Sequence, residues 1–166
     1  MRSGRVAIVT GAGSGVGRGA AIALARAGAQ VVASSRTVSK CRAVVEEIDA
    51  IGGVASAVEC DVRIPAQIVA RSLDAYGGID ILVNAADDPR VDVPFLELTE
   101  DDMLASWRTG VLGTLLFTQA CVPHMLERGG GAVVNVASGA GLLAPPGMAA
   151  YSAAQEAIRS LTRTAA

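Results

Sequence analysis

Residues 5–17 read RVAIVTGAGSGVG, a β-branched run followed by closely spaced glycines. The run predicts a buried strand, and the alanine-rich segment at 16–27 predicts a helix. Gly11 permits a tight turn, Gly15 lets the backbone approach a pyrophosphate, and Gly17 allows the helix to pack closely on the strand. The free N–H groups of the helix N-terminus then face the phosphates, which predicts a dinucleotide site. The predicted cofactor contacts in this stretch are Gly11, Ser14, Gly15, Val16 and Gly17.

The rest of the chain continues the alternation of strand and helix. Strands are predicted at residues 5–10, 30–34, 54–59, 79–85 and 132–138. Helices are predicted at residues 16–27, 38–51 and 65–76, from 99 toward 125, and from 151 onward. β-Branched runs separated by helices are typical of a parallel sheet that is covered on both faces. The sequence therefore predicts one α/β domain over residues 1–166, a Rossmann-type doubly wound sheet.

The end of the second predicted strand bears on the choice of cofactor. A carboxylate at this point accepts the adenosine ribose hydroxyls of NAD, whereas this chain has Ser34, Ser35 and Arg36. Arg36 can pair with a 2′-phosphate, and no carboxylate repels that phosphate. NADP(H) is therefore favoured over NAD(H), the alternative being that Arg36 is a solvated residue without a ligand. Asp61, after the third strand, is a candidate acceptor for the adenine amino group or a cap for the next helix.

Composition narrows the classes of partner. Charged residues make up 18% of the chain and the formal net charge is −2, which does not favour nucleic acid or an anionic membrane. Aromatic residues make up 3%, too few for platforms on which bases stack. The three scattered cysteines predict buried, reduced thiols rather than a metal site, and the N-terminal stretch does not resemble a signal peptide. We therefore expect a cytoplasmic protein without a metal.

Four motifs together resemble the short-chain dehydrogenase/reductase family. They are the TGxxxGxG loop at residues 10–17, the Asp61-Val62 pair, the LVNxA segment at 82–86, and the spacing of 13 residues from Ser138 to Tyr151. The resemblance covers essentially the whole chain. It implies hydride transfer between NADP(H) and a small ketone or secondary alcohol. It also implies that the cofactor is contacted by Asp61, Val62, Asn84 and Tyr151.

The same resemblance implies the catalytic roles. Tyr151 would be the general acid/base, and Ser138 would hydrogen-bond the substrate oxygen. The family's lysine, which lowers the tyrosine pKa and holds the nicotinamide ribose, is replaced by Gln155, and the asparagine of its proton relay is replaced by Gly110. Gln155 is expected to keep a weakened ribose contact and to leave the pKa of Tyr151 near the ordinary value of about 10. The alternatives are a cofactor-independent cyclase, dehydratase or isomerase, and a non-catalytic subunit that docks a partner.

Other candidate residues are expected to have structural roles. Asp87 stands where the family has a glycine and puts a carboxylate near the cofactor. With Asp88 and Asp92 it is expected to form a solvated acidic loop rather than a metal site. His124, late in the long predicted helix, is not expected to be catalytic. Trp107 and Phe117 on the same helix are expected to be packing or subunit contacts rather than a surface on which a substrate stacks.

Family members continue beyond the helix of the active-site tyrosine, so the resemblance implies that the last strands of the family fold are missing from this chain. The predicted strand at 132–138 would then be a sheet edge lined by apolar side chains. Such edges pair with other chains. We therefore expect that either a partner covers this edge or the chain is a fragment of a longer protein. The resemblance also implies a homo-oligomer, because the family uses its fourth and fifth helices at the dimer interface, and a small carbonyl or alcohol substrate.

Overall fold

The computed structural model describes residues 4–166. Within this range the strands are β1 (Val6–Thr10), β2 (Gln30–Ser35), β3 (Val54–Glu59), β4 (Ile81–Asn84) and β5 (Ala132–Asn135). The helices are α1 (Gly15–Arg26), α2 (Val38–Ala50), α3 (Ala66–Tyr76), α4 (Glu100–Ser106), α5 (Gly113–Glu127), α6 (Ala140–Leu143) and α7 (Ala149–Ala165). A 3-10 turn lies at Phe95–Glu97, and a π-helical turn joins α4 to α5 at Trp107–Leu112.

The strands form one parallel sheet in the order β3-β2-β1-β4-β5. The chain moves outward in one direction from β1 to β3 and then crosses back to β4, so the direction of winding reverses between β1 and β4. In such sheets ligands bind outside the carboxyl ends of the strands, at the point of reversal. The predicted doubly wound α/β fold is confirmed, and its geometry places the site.

Helices cover both faces of the sheet. Alternate residues of β1 point in opposite directions. Val9 packs with α1 and α2 through Ala21 and Ile48, while Ile8 packs with α3 and α5 through Phe117. All five of these side chains are fully buried. The expected packing role of Phe117 is therefore confirmed.

The predicted element ends needed correction near the carboxyl edge of the sheet. The fourth and fifth strands stop at Asn84 and Asn135, short of the predicted residues 85 and 138. The β4 strand ends at Asn84 because the next two backbone N–H groups, of Ala85 and Ala86, donate to the Thr10 hydroxyl at 3.1 and 3.2 Å. These groups therefore bind a side chain at the end of β1 and do not continue the pairing with β5.

The long predicted helix is also interrupted. Thr99 caps its start through a reciprocal hydrogen-bonded pair with Asp102. Eight residues after Thr99 the π-helical turn at Trp107–Leu112 begins, and it places Gly110 against Asp87. π-Turns of this kind are frequent at functional sites. The last helix begins at Ala149, two residues before the predicted start.

The sheet ends at β5, which pairs with β4 alone among residues 4–166. Val134 on this strand is 50% exposed. The three cysteines are free and buried, as expected. Nowhere in the part of the chain that the structure describes is there a helix with the length and apolar character needed to cross a membrane.

Candidate active site

A cleft of about 560 Å³ opens at the carboxyl ends of the strands. The glycine-rich loop after β1 forms its floor. One end is bounded by the residues after β2 and β3, and the other by the loop after β4, the π-helical turn and α7. The first end is called the adenosine end here and the second the tyrosine end.

The glycine-rich loop lies directly against the loop that follows β4. Gly11 has a φ of +65°, and a Cβ atom there would lie 2.5 Å from the carbonyl oxygen of Ala85. A Cβ atom on Gly17 would likewise strike the Gly11 carbonyl. Glycine is required at both positions for the loop, the β4 end and α1 to meet, which agrees with the close packing predicted for Gly17.

The N-terminus of α1 is suited to an anion. Ser14, its N-cap, makes no side-chain capping bond, and the first turn contains no acidic residue. The first N–H groups of a helix have no partner within the helix and carry its positive dipole end. A Cβ atom on Gly15 would meet nothing within 4 Å, so the space before the turn is open. The predicted Ser14, Gly15, Val16 and Gly17 all line the cleft, in a form that fits a pyrophosphate.

Basic side chains collect at the adenosine end. Arg36 lines the cleft, is 63% exposed and lies 3.4 Å from Asp88 across the opening. Lys40 and Arg63 line the same end. Both were missed by sequence reasoning, because each is one charged residue in a helix or loop and neither carries a motif of its own.

Asp61 has a firm structural role. Its carboxylate accepts the backbone N–H of Arg63 at 2.9 Å and pairs with the same residue's guanidinium. These hydrogen bonds lower the pKa of Asp61 to about 2. Asp61 therefore holds the turn before α3, and it also lines the cleft where an adenine contact was predicted. Val62, also predicted there, lines the cleft and is 9% exposed.

Asn84 requires a correction. Its side chain is 6% exposed and donates to Asn135 Oδ1 at 2.9 Å, which ties β4 to β5. It does not line the cleft, so the predicted direct contact with a cofactor is not supported by its position. An asparagine at the end of a strand gives no sign in sequence of whether it faces a ligand or the next strand.

The tyrosine end unites the three residues predicted for catalysis. The Tyr151 hydroxyl interacts with the side chains of Ser138 and Asp87. Burial raises the pKa of Tyr151 and the neighbouring Asp87 raises it further, while the hydrogen bond with Ser138 opposes the rise. The expectation of an ordinary value near 10 is therefore replaced by a raised pKa.

Gln155 is engaged at both ends of its amide. Its Oε1 accepts the backbone N–H of Ser138 at 2.9 Å, and its Nε2 donates to Asp87 Oδ2 at 2.8 Å. The side chain is 1% exposed. These bonds join α7 to the loops after β4 and β5 and use one of the two N–H groups of Nε2. Gln155 also lines the cleft, and the expected ribose contact stays a prediction.

Asp87 does not belong to a solvated loop. Its carboxylate accepts the Gln155 amide and the Asp88 N–H, and it interacts with Tyr151. Burial raises the pKa of Asp87, and these hydrogen bonds oppose the rise. Its position in place of the family glycine was the available signal, but Tyr151 and Gln155 lie 64 and 68 residues away along the chain. Among residues 4–166 no group of three or more His, Cys, Asp or Glu side chains is arranged to hold a metal ion.

The remaining candidates lie away from the chemistry. Nδ1 of His124 faces the Glu127 carboxylate at 3.4 Å on α5. Trp107 is 40% exposed. Arg108 beside it lines the cleft and was not singled out in the sequence.

Comparison with known proteins agrees with this arrangement. The family model described as short chain dehydrogenase matches residues 5–166. The chain is 38% identical over 167 residues to an uncharacterized oxidoreductase of Thermotoga maritima, a match that covers 98% of this chain and 65% of that protein. It is 37% identical over 166 residues to a 3-oxoacyl-(acyl-carrier-protein) reductase of Synechocystis, covering 98% and 67%.

Solved structures show the same likeness. A metagenomic short-chain oxidoreductase in complex with NADP has a TM-score of 0.92 and 34% sequence identity, and the match covers 99% of this chain and 76% of that one. The present chain thus spans less than two thirds of the length of the Thermotoga protein, at 65%.

Proposed function

The chain belongs to the short-chain dehydrogenase/reductase family, and on that premise we propose that it transfers a hydride between NADP(H) and a small ketone or secondary alcohol. The observation that carries this proposal is the single cleft in which the glycine-rich loop, Arg36 and Tyr151 lie together. When bound, the cofactor supplies or takes the hydride. The chain's own residues bind it, orient the substrate and exchange a proton with the substrate oxygen.

Preference for NADP(H) rests on the adenosine end. The pair of Arg36 with Asp88 is long at 3.4 Å and its guanidinium is 63% exposed. Exposed pairs contribute little stability, so Arg36 is free to turn toward a 2′-phosphate. Ser35 beside it brings no carboxylate, and its hydroxyl donates to the Thr37 carbonyl oxygen at 2.8 Å. The NADP bound to the metagenomic relative is consistent with this preference.

The tyrosine end supports a role for Tyr151 in proton transfer. Its raised pKa keeps the phenol protonated, so Tyr151 carries the proton that ketone reduction requires, but the same rise makes it a weaker acid and slows the transfer. Ser138 interacts with the Tyr151 hydroxyl and would share the substrate oxygen with it. We therefore propose Tyr151 as the proton donor and Ser138 as the residue that orients the carbonyl.

A second candidate is a member of the family that has lost hydride transfer. The observation in its favour is Gln155, a buried, neutral amide that is hydrogen-bonded at both its oxygen and its nitrogen, where the family pattern has a cation. Such a protein would be a cofactor-independent cyclase, dehydratase or isomerase, or a subunit that docks a partner.

Location and assembly are further parts of the proposal. The buried, free cysteines are consistent with the reducing conditions of the cytoplasm. We also propose that the protein forms a homo-oligomer or binds another partner subunit.

Fluorescence titration of the chain with NADPH, and with NADH for comparison, tests the proposal. We expect NADPH to bind more tightly, and Arg36→Ala to remove most of that preference. Arg71→Ala, which removes the same charge from an exposed site on α3, is the matched control and should leave both affinities unchanged. A folded chain that binds neither nucleotide would overturn the oxidoreductase proposal and favour the second candidate.

A further inference from the structure

Three positions at which the chain departs from the family pattern meet around one carboxylate. Asp87 Oδ2 accepts the Gln155 amide at 2.8 Å. A Cβ atom on Gly110 would lie 3.5 Å from Asp87 Oδ1. The carboxylate of Asp87 thus faces both the position of the family's lysine and the position of its asparagine. The three replacements form one connected cluster rather than separate losses.

This cluster adjoins the reacting end of the site. Asp87, Tyr151 and Gln155 line the same cleft, and Gln155, whose amide donates to the Asp87 carboxylate at 2.8 Å, lies one helical turn after Tyr151 on α7. Ser138 and Asp87 both shift the pKa of Tyr151. Gln155 is a neutral amide, and a serine hydroxyl does not ionise in the ordinary pH range. Of these neighbours of Tyr151, Asp87 is therefore the one that can hold or release a proton.

We propose that Asp87 is the proton-exchange partner of Tyr151 and takes the part that the family pattern gives to a lysine. This inference rests on the proposed function, because it concerns the proton that accompanies the hydride. Asp87 acts through Tyr151 and does not itself touch the substrate, so it is a relay and positioning residue.

The transfers balance in both directions. In alcohol oxidation the substrate loses a hydride from carbon to the oxidised nicotinamide and its hydroxyl proton to the Tyr151 oxygen, and the C=O bond forms. Tyr151 passes its own proton to the Asp87 carboxylate, which then releases it to water. In ketone reduction each transfer is reversed: Asp87 in its acid form supplies a proton to Tyr151 as Tyr151 protonates the substrate oxygen.

A pH dependence of defined sign follows. Reduction needs the acid form of Asp87 and oxidation needs the carboxylate. Burial raises the pKa of this carboxyl group, so its titration lies above the usual aspartate range. The rate of reduction should fall, and that of oxidation should rise, as the pH increases through this pKa. The other charged and titratable groups around the carboxylate, on its own loop and on the elements packed against it, are Asp88, Tyr151, Arg36 and Arg108.

One test needs no cofactor. The chain has two tyrosines, so a Tyr76→Phe background leaves Tyr151 as the only source of phenolate absorbance. We expect Asp87→Asn to lower the pKa of Tyr151 in an absorbance titration, because a carboxylate that raises it is lost. Asp92→Asn is the matched control on the same loop, since Asp92 has a φ of 62° that asparagine also adopts. Circular dichroism at each pH verifies that the variants stay folded.

The kinetic test uses NADPH and a panel of small ketones. We expect Asp87→Asn to bind NADPH as the wild type does, to lower kcat for reduction by about a hundredfold, and to lose the decline of the rate with rising pH. Asp92→Asn should keep the wild-type rate and pH profile. An unmoved Tyr151 titration, or an unchanged pH profile in Asp87→Asn, would overturn the relay alone. Failure of the wild-type chain to bind NADPH would overturn the proposed function and the relay together.

Discussion

The two ends of β4 each carry an aspartate, and the structure surrounds these aspartates in opposite ways. Asp80, just before the strand, accepts two guanidinium N–H groups of Arg128 at 2.9 and 3.1 Å and the Val6 N–H at 2.7 Å. Asp87, just after the strand, accepts an N–H of the Gln155 amide at 2.8 Å and the backbone N–H of Asp88. Among residues 4–166 no Lys, Arg or His side chain donates a hydrogen bond to it. Burial favours a higher pKa for both, but the partners of Asp80 outweigh it and lower that pKa, whereas the pKa of Asp87 stays raised.

This difference separates a carboxylate that holds the fold from one that is poised to change its charge. Asp80 joins β1, β4 and the end of α5 at the edge of the sheet away from the cleft. A group with a cation partner stays ionised at working pH and can fill such a role permanently. Asp87 lies in the cleft among neutral donors, and perturbed carboxyl groups of this kind are typical of functional sites.

The largest effect on stability is expected at the first aspartate. Asp80→Asn removes the charge that Arg128 and the Val6 N–H require, and we expect it to lower the free energy of unfolding by about 2 kcal/mol. Asp87→Asn keeps an acceptor for Gln155 and should change it by less than about 0.5 kcal/mol. Urea denaturation of the two variants measures both values. Equal losses would remove the distinction between the two ends of β4.

A smaller effect is expected at Gly110. An asparagine there needs the space that the Asp87 carboxylate fills, since a Cβ atom would already lie 3.5 Å from its Oδ1 and 3.4 Å from Ile158 Cδ1. Gly110→Asn alone should cost about 1–2 kcal/mol through overpacking. Combining it with Asp87→Gly should recover most of that cost, which gives a coupling energy of about 1 kcal/mol in a double-mutant cycle. Additive changes would mean that the two positions are independent.

A cation placed beside Asp87 should lower its pKa, as Arg128 lowers the pKa of Asp80 at the other end of β4. In Gln155→Lys the ammonium group lies beside the carboxylate, so the pKa values of Asp87 and Tyr151 should both fall. The Ser138 N–H loses its acceptor, at a cost of about 1 kcal/mol in stability. Gln155→Met is the control of similar length, and it should lose the same acceptor without lowering the pKa of Tyr151 in the absorbance titration.

The smallest effect concerns the pH dependence of stability. A carboxyl group whose folded-state pKa is raised contributes stability below its unfolded pKa and loses it as the pH rises through the folded one. For Asp80 the sign is opposite, because its lowered pKa gives stability above the unfolded value that is lost as the pH falls. Relative to Asp87→Asn, the wild type should therefore become less stable as the pH rises from the unfolded-state pKa of an aspartate through the raised folded-state pKa of Asp87. Relative to Asp80→Asn it should become more stable with rising pH.

The sequence predicted the fold because the signals for it are local. Each β-branched run and each helix stop can be recognised within a few residues, and the glycine-rich loop identifies its own backbone geometry through Gly11 and Gly17. The order of the strands has no such local signal, and the doubly wound arrangement was predicted through the resemblance to a known family. The interruption at Trp107–Leu112 was not predicted, since a π-turn has no comparable local signal.

The site was predicted only in part, because its side chains come from distant segments. The spacing of Ser138 and Tyr151 indicated the tyrosine end, and the structure brings the two side chains together. The partners of Asp87 and Asn84 were not predictable, since the hydrogen bonds with Gln155 and Asn135 span 68 and 51 residues. In the sequence alone, the replacement of the family's lysine by the neutral Gln155 indicates that proton transfer is lost. The position of the Asp87 carboxylate in the structure supports the alternative that a different residue exchanges the proton.

NMR titration of the Asp87 carboxyl carbon and the Tyr151 ring is the most direct test of the claim that these two residues share a proton path. The account predicts that Asp87 titrates above the usual aspartate range and that the Tyr151 resonances move at the same midpoint, whereas Asp80 titrates below that range. An ordinary midpoint for Asp87, or Tyr151 resonances that do not respond to it, would contradict the account.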